Sequence, residues 1–183
     1  MGGVASITGY KSFELGIFKQ DDQAVQYIKL AIRKELLTLL DSGLEWVLIS
    51  GQLGVELWAA EVVFELQEEY PDLKLAILTP FLQQEEKWND QNKEYYEMIL
   101  SQADFVDSIS KSPYQNPGQF KNRNLLFLHK SQSCIILYDP EREGSPRYFY
   151  EEAQRKQEQE PSFMLKTITF DDLQWVVEEA QWG

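Results

Sequence analysis

Trp46-Val47-Leu48-Ile49-Ser50-Gly51-Gln52-Leu53-Gly54-Val55-Glu56-Leu57-Trp58 starts as a continuous apolar run, breaks at a glycine-punctuated turn and resumes with a different rhythm. Trp46 to Ile49 shows no polar alternation, which marks a strand buried on both faces, the habit of strands in parallel sheets. From Val55 the apolar positions Val55, Trp58, Ala59, Val62, Val63 and Leu66 recur at three and four residues, one face of a helix running to about Glu69 that Pro71 ends. Strand, tight turn and helix make up half of a βαβ unit.

The same alternation extends in both directions. Upstream, Val4–Thr8 predicts a strand ending at Gly9. A helix follows over about Asp21–Leu40, with Val25, Ile28, Ile32, Leu36 and Leu39/Leu40 on one face, Asp21 as N-cap and Gly43 as its stop. Downstream, Leu73–Thr79 is a strand stopped by Pro80, and a polar helix covers about Glu85–Gln102. Asp104–Gly118, with Pro113 and Pro117, reads as a loop with room for a short strand before it. Then come a helix Phe120–Lys130, a strand Cys134–Tyr138, a helix Pro146–Gln159, a strand Phe163–Phe170 and a helix Asp171–Glu179 capped by Asp171. The expectation is one domain over residues 1–183: an open, doubly wound α/β fold with a mostly parallel sheet and helices on both faces. Such sheets bind ligands at the carboxyl ends of their strands.

Composition narrows the function. Of the 183 residues, 43% are hydrophobic and 13% aromatic, ample for a core. Seventeen basic residues face 30 acidic ones, a formal net charge of −13. That weighs against a binder of double-stranded nucleic acid or of a membrane surface, though not against a local basic pocket. One cysteine, Cys134, excludes a disulfide framework, and one histidine, His129, excludes a multi-histidine metal site. No apolar run approaches the length of a membrane span and no signal peptide precedes the first strand, so a cytoplasmic protein is expected. Met1-Gly2-Gly3-Val4-Ala5-Ser6 fits a loose acylation pattern, but Val4–Ile7 reads better as strand and no polybasic patch follows.

Candidate functional residues gather after the strands: Thr8, Gly9 and Lys11 after the first; Ser50, Gly51, Gly54 and Glu56 after the second; Gly144 and Ser145 after the strand at Cys134. Gly51 suits a tight turn, and Gly54 would let an anion such as phosphate approach the helix N-terminus. Against this, both glycines would equally serve the turn alone; the full dinucleotide fingerprint and the P-loop lysine are absent. Glu56, in the first helical turn, either complements the helix dipole, accepts ribose hydroxyls or acts as acid/base at a glycosidic carbon. Asn124 falls in the middle of an apolar helix face with Arg123 at its flank, which reads as a satisfied core amide beside a surface arginine or as a phosphate-binding pair. Ser145 is an N-cap or part of a second anion loop. Tyr10, Trp88 and Tyr114 are either packing or stacking partners for a base. His129 reads as helix surface, Cys134 as inert core, and the stretch Glu151–Glu160 as a solvated face.

Ile7-Thr8-Gly9-Tyr10-Lys11, Phe13 to Phe18, Ile49 to Glu61, and Leu137-Tyr138-Asp139-Pro140-Glu141 with Gly144-Ser145-Pro146 together resemble the YpsA-like family, a bacterial group in the SLOG superfamily of Rossmann-like proteins. The resemblance implies a pocket for a nucleotide or nucleotide sugar such as ADP-ribose, NAD or AMP, with Gly51 and Gly54 as the phosphate loop and Glu56 by the sugar. Arg123-Asn124 resembles an Arg-Asn pair of the superfamily's DNA-processing branch. The Pro-Gly-Gly-x-Gly-Thr motif of the superfamily's phosphoribohydrolases is replaced here by Asp139 to Ser145, which argues against that activity. The leading expectation is a regulatory or sensing nucleotide-binding domain needing no metal or other cofactor, with homo-oligomerisation suggested by the superfamily and any protein partner unidentified. A nucleotide N-glycosidase using Glu56, and a single-stranded nucleic-acid binder, are the alternatives.

Overall fold

The structure, a computed structural model, describes residues 3–182. The acylation pattern depends on Met1 and Gly2, which lie outside the described residues.

Six strands form one sheet: β1 (Gly3–Gly9), β2 (Leu44–Ile49), β3 (Lys74–Thr79), β4 (Phe105–Ser108), β5 (Ser133–Leu137) and β6 (Met164–Ile168). Their order is β4-β3-β2-β1-β5-β6, and every pairing is parallel. Residues 5–9 of β1 and all of β5 are buried: β5 carries the apolar run Cys134–Leu137, and the buried Ser6 and Thr8 of β1 hydrogen-bond to Ser131 and Glu56. The six α-helices are α1 (Gln23–Asp41), α2 (Val55–Leu66), α3 (Asp90–Gln102), α4 (Gly118–Lys130), α5 (Arg147–Gln159) and α6 (Phe170–Trp182). Right-handed crossovers outward from β1 to β4 put α1, α2 and α3 on one face. The chain then crosses back to β5, so α4 and α5 cover the other face, and α6 returns to pack on α1. The winding reverses between β1 and β5, and there the ends of adjacent loops part to leave a crevice.

The doubly wound α/β architecture is as expected, while several boundaries differ for local reasons. Asp22, not Asp21, caps α1, accepting from the Ala24 N–H at 2.9 Å. Helix α3 begins at Asp90 rather than near Glu85, because Asn89 caps it and Gln83 takes a left-handed φ of 59° in the preceding turns. The stretch after Asp104 contains the short edge strand β4. Gln119 organises the loop beyond it: its Oε1 accepts from the N–H groups of Gln115 and Asn116, and its Nε2 donates to Ser110 and Pro113. Thr169 caps α6 in place of Asp171, exchanging hydrogen bonds with Asp172 three residues on. Ser145 is not the cap of α5; its hydroxyl is engaged elsewhere.

Helix α2 is the centre of the molecule. Val55 to Ala60 are all buried, and Trp58 and Leu57 are among the largest enclosed side chains. A helix apolar nearly all round is one surrounded by other elements, and α2 contacts β1, β2, β3, α1 and α3.

Candidate functional site

A cleft of about 630 Å³ opens at the carboxyl end of β1, between the N-terminal turns of α4 and α5. Thr8, Gly9, Lys11, Glu56, Arg123, Asn124 and Ser145 line it. Ser50 stands one hydrogen bond behind the wall, while Gly51, Gly54 and Gly144 are outside the lining.

Glu56 is 3% exposed, and its carboxylate is gripped by the chain. Oε1 accepts from the Ser50 N–H and hydroxyl, both at 2.8 Å, and from the Gln52 N–H at 3.3 Å. Among the described residues, Oε2 accepts from the Thr8 hydroxyl alone, at 3.0 Å. The amide groups of the β2–α2 turn therefore already hold an anion, the chain's own. The start of α2 is likewise closed, because the Val55 N–H donates to the Tyr10 carbonyl at 3.2 Å.

The two glycines of that turn serve packing. At Gly54 (φ +100°) a Cβ would fall 2.5 Å from the Ser12 nitrogen and 2.6 Å from the Tyr10 carbonyl oxygen. At Gly51 (φ +82°) it would point at Gln84, Tyr96 and Ile77, away from the cleft. The geometry thus puts backbone, not open space for an anion, against Gly54.

Arg123 forks onto its neighbour: Nε and Nη2 donate to Asn124 Oδ1 at 3.1 and 2.9 Å, and Nη1 donates to the Ser50 hydroxyl at 3.3 Å. The guanidinium also lies 5.3 Å above the Phe120 ring. Burial lowers its proton affinity, and the nearby Glu56 charge works the other way. A chain of contacts runs Asn124, Arg123, Ser50, Glu56, joining α4 to α2 across the crevice.

Gly144-Ser145 is also occupied. The Ser145 N–H and hydroxyl donate to Glu14 at 2.8 and 2.6 Å, and the Lys11 N–H donates to the same carboxylate at 2.8 Å. Glu14 lies in a short 3-10 turn, Ser12–Leu15. Burial raises its carboxyl's proton affinity, but the bonds from Ser145 and Lys11 outweigh it and hold the group below the usual carboxylate range.

Sequence reasoning missed Glu14, and also Lys121, Gln52, Tyr148 and Arg155 in the lining. The stripe Tyr148, Glu152, Arg155 follows helical spacing, a signal hidden in a stretch that reads as wholly solvated; Glu151 and Glu152 in fact line the cleft. Arg155 pairs with Glu152, whereas Lys11, Lys121 and Arg123 have no acidic partner within ion-pair distance among the described residues. Three cations outside any ion pair among the described residues thus converge in a protein of net charge −13, on walls that also carry Glu56, Glu151 and Glu152. Tyr10 is no stacking platform: it is 2% exposed, and its hydroxyl donates to the Asp139 and Arg142 carbonyls and accepts from the Asp139 N–H. Trp88 packs edge-on against Tyr96, and Tyr114 is exposed outside the cleft lining. Cys134 is enclosed, its thiol pushed up to about 12 by burial, and His129 is on the helix surface.

The YpsA family model, described as the YspA SLOG family, matches residues 5–173. A UPF0398 protein of Bacillus cereus strain B4264 is 59% identical over 180 residues, covering 98% of this chain and 97% of its own length. The UPF0398 protein YpsA of Bacillus subtilis strain 168 is 57% identical over 176 residues, covering 96% and 97%. Among solved structures, the DNA processing protein A of Helicobacter pylori, described for its single-stranded DNA binding mode, superposes with a TM-score of 0.54 at 18% identity. The match covers 90% of this chain and 65% of that one, and it shows a shared fold.

Proposed function

The chain belongs to the YspA SLOG family, and we propose that its cleft binds a nucleotide or nucleotide sugar of the ADP-ribose, NAD or AMP kind in a regulatory or sensing role. The observation that carries this reading is the convergence of Lys11, Lys121 and Arg123, none with a carboxylate at ion-pair distance among the described residues, in one cleft of an acidic chain. Cations so placed favour an anionic ligand. The apolar walls supplied by Phe120, Tyr148 and Phe149 suit a flat or hydrophobic moiety beside it. Phosphate is held here by side chains of β1–α1 and α4, since both backbone amide clusters are filled by Glu56 and Glu14.

A binding role suits Glu56 better than acid/base work. Its carboxylate accepts four hydrogen bonds from the protein's own donors, which holds it in place and fits it to orient a sugar. The likeness to a protein whose title describes single-stranded DNA binding favours a second reading, an oligonucleotide ligand. A steep fall of affinity with salt would mark that alternative.

Thermal melting against AMP, NAD and ADP-ribose tests the proposal. A ligand present at about 100 times its dissociation constant adds about 2.7 kcal/mol of stability, a rise of roughly 5–10 °C for a domain of this size. The rise is expected with at least one of the three and lost in Arg123→Ala. No shift with any at millimolar concentration would overturn it.

A further inference from the structure

Asn124 is nine-tenths buried, at 6% exposed, in a wall of the cleft. Its amide orientation is fixed, because Arg123 donates twice to the side-chain oxygen, leaving Nδ2 on the other side. Among the described residues no acceptor takes the Nδ2 hydrogens, and no polar side-chain atom is both fully enclosed and without a partner. The amide nitrogen therefore opens onto the cleft as a committed donor awaiting an acceptor. Glu56 presents the complement: it lines the same cleft, and among the described residues its Oε2 takes a single hydrogen bond. Carboxylate oxygens accept more than one bond.

We propose that Asn124 Nδ2 and Glu56 Oε2 together read a ribose hydroxyl, which accepts from the first and donates to the second. The cleft's ligand is then a ribonucleotide and not a deoxyribonucleotide. The inference rests on the nucleotide reading of the cleft and goes beyond it by naming the sugar. A phosphate oxygen or a base carbonyl has no hydrogen to give Glu56; a ribose hydroxyl donates and accepts at one atom, whereas an adenine edge needs two, and loss of the hydroxyl separates these cases. Arg123 acts here as a positioning residue: it turns the amide so that nitrogen, not oxygen, faces the ligand.

Sites built around a substrate hydroxyl reject the analogue that lacks it, since their own polar groups are left unpaired. Calorimetric titration of the full chain with AMP, 2′-deoxy-AMP and 3′-deoxy-AMP tests this. AMP is expected to bind about 10- to 100-fold more tightly than one of the two deoxy compounds. In Asn124→Asp the arginine keeps its acceptor, so the fold is retained while the donor is lost, and the ratio should collapse towards one. Any general effect of the added charge acts on all three nucleotides alike and cancels in that ratio. Arg123→Lys, unable to fork, should lower the ratio too, which a purely phosphate-binding arginine would not do. Equal binding of the three nucleotides would overturn the inference and leave the nucleotide reading intact, as would an unchanged ratio in Asn124→Asp. Failure of AMP to bind at all would overturn this inference, and the melting panel of NAD and ADP-ribose then decides the nucleotide reading separately.

Discussion

At Gly54 the backbone takes φ +100° and ψ −132°, and the chain from Tyr10 to Ser12 lies against the bare Cα. The sequence shows a glycine in a strand-to-helix turn, and that much is legible. What approaches it is set by a contact some forty residues away, which no local pattern contains. A substitution there strikes folding before it strikes any ligand. Gly54→Ala should destabilise the protein by about 3 kcal/mol or more, combining backbone strain with a clash against main chain. A urea melt reads this directly; a change under 1 kcal/mol would contradict the packing role. Gln84 offers a gentler test. It donates to the Ser50 carbonyl and to the Tyr96 hydroxyl, and its Oε1 accepts from Gln52 at 2.6 Å. Gln84→Ala should cost about 1–3 kcal/mol by leaving half-buried groups unpaired, and should loosen the turn that holds Glu56. Faster hydrogen exchange at the Ser50 and Gln52 amides would report the loosening.

Among the elements, the long periodic helices and the apolar strands are legible from spacing alone. The short Ser12–Leu15 turn has no buried residue and no apolar period, so nothing in the sequence announces it. It is held by Glu14, which ties β1's exit to the entry of α5. Because the folded carboxyl titrates below its unfolded value, its contribution to stability is fully present above the ordinary carboxylate range. That contribution is lost as pH falls through the lowered value. Glu14→Gln should therefore lower the melting temperature at neutral pH and flatten its decline in acid, down to the point where the parent has lost the same bonds. An acid limb as steep in the variant as in the parent would contradict the clasp. The late start of α3 has a related cause: Gln84 is recruited to the neighbouring turn, and a tertiary contact overrides the helical propensity of Glu85 to Lys87.

For the molecule as a whole, the alternation of strands and helices was enough to give the doubly wound parallel sheet, and the reversal between β1 and β5 places the cleft where such sheets bind ligands. Seven of the candidate residues fall in its lining. The sequence suggests an anion held by glycine-rich backbone, whereas the structure fills both amide clusters with carboxylates and leaves the cations on side chains. Lys121 and Arg155 escape a sequence reading because charge is a property of the surface they share, not of their neighbours in the chain. If those side chains hold the ligand, Lys121→Ala should weaken AMP about threefold to tenfold and leave stability unchanged, as expected for an exposed lysine. An unaltered dissociation constant would remove Lys121 from the site.

Hydrogen exchange with and without saturating ADP-ribose tests the central claim most directly, because it locates the ligand on the fold without assuming the residues that hold it. Protection is expected in the β1 exit around Gly9 to Lys11 and in the first turns of α4 and α5, with the groove between α1 and α6 unchanged. Ligand-dependent protection confined to that groove, or none anywhere, would contradict the assignment of the cleft.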